Sequence, residues 1–344
     1  MNHSRILYWD VAKAVAIFLV VWGHILQNLT LNSDYWLTDV LSQFIVSFHM
    51  PLFMLVSGYF AYSSLKKEFW SVLFGKFRQL IVPSVLWYII VAGMAMVWHA
   101  AFTLQRLSDI SSALFSSYWF LKSLFMCYLI LLIGNLLYRI NHSLIGVYGL
   151  LIWFLAEQLN YVSTISMLPF FLAGFALRLF GLLDKLNIYI MGGVTASYLV
   201  LFLLFDGCDY NLYLHPVVHT QEAYVAFVLR TIIGITGALT ILFIIQKLSN
   251  RFSNNCLIQL LAKIGSMTLG IYCIQVILAE GALKIFAGRV ELMLSQLPNQ
   301  FLRVLVYDWM LTPFLAVLVV CFCYFAIYAI RKNKSAKLLL LGEN

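Results

Sequence analysis

The sequence predicts an all-α, polytopic membrane protein. Three observations predict it. Hydrophobic residues make up 63% of the 344-residue chain and charged residues 10%, whereas a soluble domain carries about 25% charge. Mean hydropathy is +0.92. The apolar residues fall into runs near 20 residues long, bounded by charges and turn residues, and that is the length a helix needs to cross the hydrocarbon core.

Ten such runs are expected, near 11–30, 38–62, 79–102, 118–138, 143–158, 163–181, 188–205, 223–246, 262–286 and 306–330. An even number puts both chain ends on one side. Of the 22 Lys and Arg residues, fifteen fall in loops on the side of the N-terminus and five on the other, so both termini are expected to be cytoplasmic. No repeat or linker divides the chain. A membrane domain over 1–332 and a short, basic, mobile cytoplasmic tail over 333–344 are expected. The net charge of +8 punctuates apolar runs and forms no basic face, which argues against a nucleic-acid partner. The six cysteines form no C-x-x-C pair, so neither a disulfide framework nor a zinc site is suggested. The first run carries no small-residue cleavage signal and contains Lys13 and His24, so it reads as a retained span.

That first run, RILYWDVAKAVAIFLVVWGHILQNL from Arg5 to Leu29, holds Asp10, Lys13 and His24. Lys13 and His24 are eleven residues apart, about 20° past three full turns and roughly 16 Å along the axis, so both lie on one face. A lysine deep in a span costs on the order of 3 kcal/mol by insertion scales. His24 reads either as a neutral histidine bonded to a neighbouring helix or as a general base in a partly dry cavity. Lys13 reads either as a side chain snorkelling to headgroups or as a cation for a ligand phosphate. Asp10 reads as a helix N-cap, a counter-ion for Lys13, or both, with capping favoured.

The second run contains FHMPLFMLVSGYF. Its Pro51 frees a backbone carbonyl, which is tolerated where protein or a cavity satisfies it. His49 is a second intramembrane imidazole, a candidate to share a buried polar site with His24. Ser57 and Gly58 permit close helix contact. Lys66, Lys67, Lys76 and Arg78 follow as a cationic cluster, explained by topology and equally suited to a polyphosphorylated ligand. The fourth run opens at Trp119, an interfacial aromatic by default, and carries Lys122. His215 and His219 flank Pro216 in a loop, but no third ligand stands at fixed spacing and no metal is expected. His99, His142 and Glu157 read as interfacial.

These residues resemble the bacterial integral-membrane acyltransferase family three, in its fucose-type O-acetylase and related acetyltransferase flavour. The matching pieces are Arg5 with Asp10, Lys13 with His24, the stretch Phe48 to Tyr59, Lys76 and Arg78 leading to Pro83, and Trp119 to Phe125. They cover the first third of the chain in order. The resemblance implies ten helices in the bacterial inner membrane. It implies acetyl-CoA as cytoplasmic acyl donor, with a hydroxyl of a cell-envelope glycan or lipid-linked sugar as acceptor. It implies His24 as catalytic residue, with Asp10 and His49 beside it. Lys13, Lys76, Arg78 and Ser57 are then expected on the donor, and Trp119, Lys122 and Tyr59 on the acceptor. Coenzyme A would lodge its phosphates against Lys13 and the Lys76/Arg78 loop, and His24 would serve as base or as acyl carrier. Two positions depart from the family pattern. Lys13 stands where arginine is common, a point charge without the bidentate fork. Gln275 stands three residues after Tyr272, where many relatives carry histidine. The rival reading is a transporter or flippase of a lipid-linked saccharide, which also buries ionisable groups along a path.

Overall fold

The computed structural model describes residues 7–30, 39–99, 118–158, 162–204 and 221–343. Among them the regular structure is all helical. The helices are α1 (Leu7–Asn28), α2 (Val40–Ser64), α3 (Phe69–Lys76), α4 (Val82–His99), α5 (Trp119–Ile140), α6 (Leu144–Gln158), α7 (Val162–Leu179), α8 (Ile188–Leu204) and α9 (Gln221–Arg251). There follow α10 (Cys256–Gly265), α11 (Thr268–Gln275), α12 (Ala287–Ser295), α13 (Gln300–Val306), α14 (Thr312–Ile330) and α15 (Lys334–Leu341). Helix stands over most of the described part of every expected run, but the run expected over 262–286 is broken at Ser266 and Met267 between α10 and α11. Among the described residues seven helical stretches are long and apolar enough to cross a membrane, and shorter apolar helices lie at Ser163–Leu179, Ile188–Leu204 and Cys256–Gly265. His215, His219 and Cys208 lie outside the described residues.

Helix α1 is the axis of the bundle. Ala12, Ala16, Ile17, Val21, Ile25 and Leu26 are at most 1% exposed, and the helix packs on α2, α9, α10, α11 and α14. A helix apolar on nearly all sides is stable only where it is surrounded. Hydrophobic burial does not draw helices together in lipid, so close approach depends on small residues. Two crossings show this. A Cβ on Gly265 would lie 1.8 Å from the backbone oxygen of Asp10. A Cβ on Gly58 would lie 1.8 Å from the oxygen of Phe171, and one on Gly174 would lie 1.9 Å from that of Leu55. The first crossing seats α10 on the start of α1. The second fixes α2 against α7.

Prolines set the irregular turns. Pro83 removes the amide that would bond the carbonyl of Gln79, and Pro313 does the same for Trp309. In both places the register widens to a π turn, Phe77–Ile81 and Tyr307–Leu311, with the Val82 and Thr312 amides donating back to Phe77 and Tyr307. A third π turn, Val276–Ala282, follows Gln275. Polar bonds pin the bundle: Trp22 Nε1 donates to Thr312 Oγ1 at 2.9 Å, and the Tyr118 hydroxyl donates to the Cys273 carbonyl at 3.1 Å.

The last segment differs from the mobile tail that its composition suggested. Asn333 caps α15 by accepting from the Ala336 amide at 3.1 Å. Trp87 Nε1 donates to the Leu340 carbonyl at 2.8 Å, Leu341 is buried, and Gly342 turns at φ +61° against Gln79. The three leucines before Leu341 give the helix an apolar face, and α4 offers a surface to bury it.

Replacing Gly58 with alanine will push α2 and α7 apart. Overpacking of this kind costs about 1–3 kcal/mol, so the purified Gly58→Ala protein will melt several degrees below wild type in detergent. Gly192→Ala, which meets nothing within 4 Å, will leave the melting temperature within error.

Candidate active site

Two cavities adjoin at the end of the bundle where Lys76 and the last helix converge, with three wall residues in common. The outer one, about 450 Å³, is lined by Lys67, Ser71, Lys76, Arg78, Gln79 and Glu343 among others. The inner one, about 270 Å³, is lined by Lys13, Ile17, Met50, Ser57, Phe120, Tyr128 and Tyr272, together with Lys76, Gln79 and Glu343. The three shared residues form the neck. Along α2 the combined lining runs from Ser64 to Met50, ~21 Å of helix axis. The outer chamber is cationic and polar, and the inner one mostly apolar.

Local chain chemistry places each cation. The π turn before Pro83 brings Arg78 and Gln79 to the wall of the outer cavity beside Lys76. The Lys76 ammonium sits 4.4 Å over the Tyr128 ring and donates to Gln79 Oε1 at 3.1 Å. A cation over an aromatic face is held without being neutralised. The Tyr128 hydroxyl donates to the Ser57 carbonyl at 3.3 Å, which ties α5 to α2 at the chamber wall. Glu343 brings a carboxylate to the neck, but Arg331 Nε donates to it at 2.9 Å and Nη2 bonds its other oxygen. That bidentate pair neutralises the carboxylate, so the lysines and Arg78 set the sign of the vestibule.

Lys13 Nζ lies 2.7 Å from Asp10 Oδ1, with side-chain exposures of 28% and 6%. The capping role favoured for Asp10 is therefore corrected. Leu7 is already helical, so Asp10 lies within α1, and the ion pair makes it a counter-ion. Lys13 lines the inner cavity. Ile17, four residues on, lines the same cavity, and His24 follows seven residues later. The three share a stripe about 40° wide.

His24 is half-buried and lies seven residues along α1 from the lining residue Ile17. Its backbone carbonyl accepts from Asn28 Nδ2 at 2.8 Å. His49, next to the lining residue Met50, is buried and lies within electrostatic range of His24. Its Nδ1 is 2.7 Å from the Ile45 carbonyl. A carbonyl only accepts, so Nδ1 carries the proton and Nε2 keeps its lone pair in the neutral ring.

The structure brings together Lys13, Ser57, Lys76 and Arg78 around the cavities, and places His24 and His49 within electrostatic range of each other but on neither cavity wall. It does not bring Tyr59, Trp119 or Lys122 to either cavity wall. The Tyr59 hydroxyl accepts from Arg178 Nη1 at 2.9 Å, and its ring stacks 4.4 Å from Trp9. Trp119 packs on the core, and Phe120 and Leu121 line the chamber in its place. Tyr128, Gln79, Tyr272 and Glu343 are wall residues that sequence reasoning missed. Phe120, Leu124 and Tyr128 recur at helical spacing, a signal that was available. Nothing in the sequence pointed to Glu343. Gln275 is fully buried, and its amide atoms have no partner among the described residues. No three His, Cys, Asp or Glu side chains among the described residues come together as metal ligands would.

These features define a bundle of apolar, membrane-length helices in which a cationic cavity adjoins a mostly apolar one. The family described as "Acyltransferase domain" matches residues 6–332, and the chain belongs to this integral-membrane acyltransferase family, number three. It is similar to the nodulation protein NolL of Mesorhizobium japonicum, 27% identical over 180 residues, 51% of this chain and 48% of that protein. It is also similar to the nodulation protein NolL of Sinorhizobium fredii, 34% identical over 133 residues, 37% of this chain and 36% of that protein. The match thus spans about half or less of these relatives' lengths. No solved structure matches.

Tyr59→Phe separates a packing role from a ligand role. Losing the Arg178 bond will cost about 1–2 kcal/mol, read as a lower melting temperature. The apparent affinity for an acyl donor, measured by thiol release in membranes, will stay unchanged.

Proposed function

We propose that this protein is a membrane O-acyltransferase. It takes an acyl group, acetyl by preference, from coenzyme A at the basic end of the bundle and passes it to a hydroxyl of a cell-envelope glycan or lipid-linked sugar. One observation carries the reading. A cationic cavity and a largely apolar one share Lys76, Gln79 and Glu343 in their walls, and the apolar one is lined by Lys13 and Ile17 of the helix that bears His24 and by Met50, the neighbour of His49. A polyphosphate head with a long, thin, mostly neutral arm ending in a thioester fits that sequence of environments. Family membership supports the same chemistry. In this reading ten helices span the bacterial inner membrane, and the basic end with both termini faces the cytoplasm.

The roles follow from chemistry and placement. Lys67, Lys76 and Arg78 hold the phosphates, and Lys13 meets the anion nearest the neck. Ser57, Phe120 and Tyr128 flank the pantetheine arm. An acceptor hydroxyl attacks the thioester carbonyl while an imidazole takes its proton. The C–S bond breaks, and the same imidazolium returns the proton to the departing thiolate. His24 is that base, or it accepts the acyl group and hands it on. His49, its Nδ1–H bonded to Ile45, presents Nε2 as the fixed second imidazole that orients or relays. Burying the arm keeps water from the thioester.

The test uses membranes from cells that express the full chain, acetyl-CoA, and detection of free thiol. His24→Ala will lower acceptor-dependent thiol release at least 100-fold, within the span typical of lost acid–base catalysis. Lys13→Ala will raise the apparent KM for acetyl-CoA about tenfold or more with a smaller change in kcat, as loss of a charge-assisted phosphate contact requires. Wild-type rates in His24→Ala would end the catalytic assignment. An unchanged KM in Lys13→Ala would end the phosphate assignment.

A further inference from the structure

A third cavity, about 260 Å³, lies at the other end of α1 from Lys13, among Thr30, Glu291, Leu294, Gln300, Arg303 and Tyr307. We propose that it is a saccharide subsite, which holds the hydroxyl-bearing acceptor on the far side of His24 from the donor chamber. This rests on the acyl-transfer reading above and names where its second substrate sits.

The polar groups around it have bonding capacity left over. Glu291 Oε2 accepts from the Thr30 hydroxyl at 3.2 Å, and Oε1 has no partner among the described residues. Arg303 Nη2 donates to the Ser295 and Leu297 carbonyls at 3.2 and 3.4 Å. Those bonds fix the guanidinium at the end of α12 and leave Nε and Nη1 without partners among the described residues. The Gln300 side chain has none there either. A carboxylate, a guanidinium and an amide thus face one cavity, offering acceptors and donors side by side. Neighbouring sugar hydroxyls, each donor and acceptor at once, match that set. A phosphate does not, because Glu291 would repel it. Leu294 and Tyr307 add apolar surface suited to the C–H face of a pyranose ring.

The cavity is wired to the catalytic turn. The Tyr307 hydroxyl donates to the Leu26 carbonyl at 3.0 Å, and Asn28 Nδ2 donates to the His24 carbonyl. Along α1 the order is Lys13 and Ile17 on the donor chamber, then His24, then Leu26 under Tyr307, then Thr30 on this cavity. Along the helix axis, position 24 thus falls between the residues that line the two cavities.

The experiment compares cells expressing wild type, Glu291→Gln, Gln300→Ala and Leu294→Trp, the last filling the cavity without changing charge. Acetate released by mild base from the envelope glycan is measured, along with acetyl-CoA KM in the corresponding membranes and the melting temperature of each purified protein. The expected result is a fall of at least tenfold in glycan-bound acetate for Leu294→Trp. Smaller falls, about three- to tenfold, are expected for the exposed Glu291→Gln and Gln300→Ala, with donor KM and melting temperature unchanged in those two. Wild-type acetate levels in all three variants overturn the subsite, and so does a loss of acetate that tracks donor KM or melting temperature. If wild-type expression adds no base-labile acetate to the glycan, it is the acyl-transfer reading that falls.

Discussion

The close crossing of α10 over the start of α1 is the contact on which the site depends. Gly265 lets a backbone carbonyl at Asp10 sit where any side chain would otherwise be. The consequence is local and electrostatic. With α10 seated there, the corner from Gly265 to Gly270 becomes one wall of the inner cavity, and the Asp10–Lys13 ion pair is enclosed beside it. A lysine that would otherwise reach for headgroups is held by its own helix at a cavity wall. A charge inside a bilayer is tolerated where it is paired and lines a polar space.

Proline supplies the second constraint. A regular helix through residues 77–83 would leave the Gln79 carbonyl without its donor. The π turn accommodates that loss and turns Arg78 and Gln79 into the vestibule. The same device recurs before Pro313, where it places Tyr307 to bond α1 near His24. Both irregularities lie beside cavities, in keeping with the frequent placement of π turns at functional sites.

The ordered last helix completes the vestibule from a direction that the chain order does not suggest. Its Glu343 reaches the neck, and Arg331 holds that carboxylate in the geometry a phosphate would use. The wall is thereby built from residues more than 250 positions apart, Gln79 beside Gly342 and Trp87 against Leu340. Closing such long loops is feasible in a bundle whose helices are already aligned by the membrane.

By itself the sequence determined the helical class, the placement of the helices, the shared face of Lys13 and His24, and the cationic cluster at Lys76 and Arg78. Hydropathy and helical periodicity are local properties, and the cost of a buried charge marks its bearer wherever the helix ends up. What lines a cavity is not local. Tyr59 carried the same motif as Ser57 but points to Arg178 and Trp9. Trp119 gave way to its neighbour Phe120, since one step along a helix is a turn of ~100°. Only the tertiary structure decided that Tyr128 cradles Lys76 and that Glu343 stands at the neck. Each depends on which face a partner helix covers, and that is set by packing between distant segments.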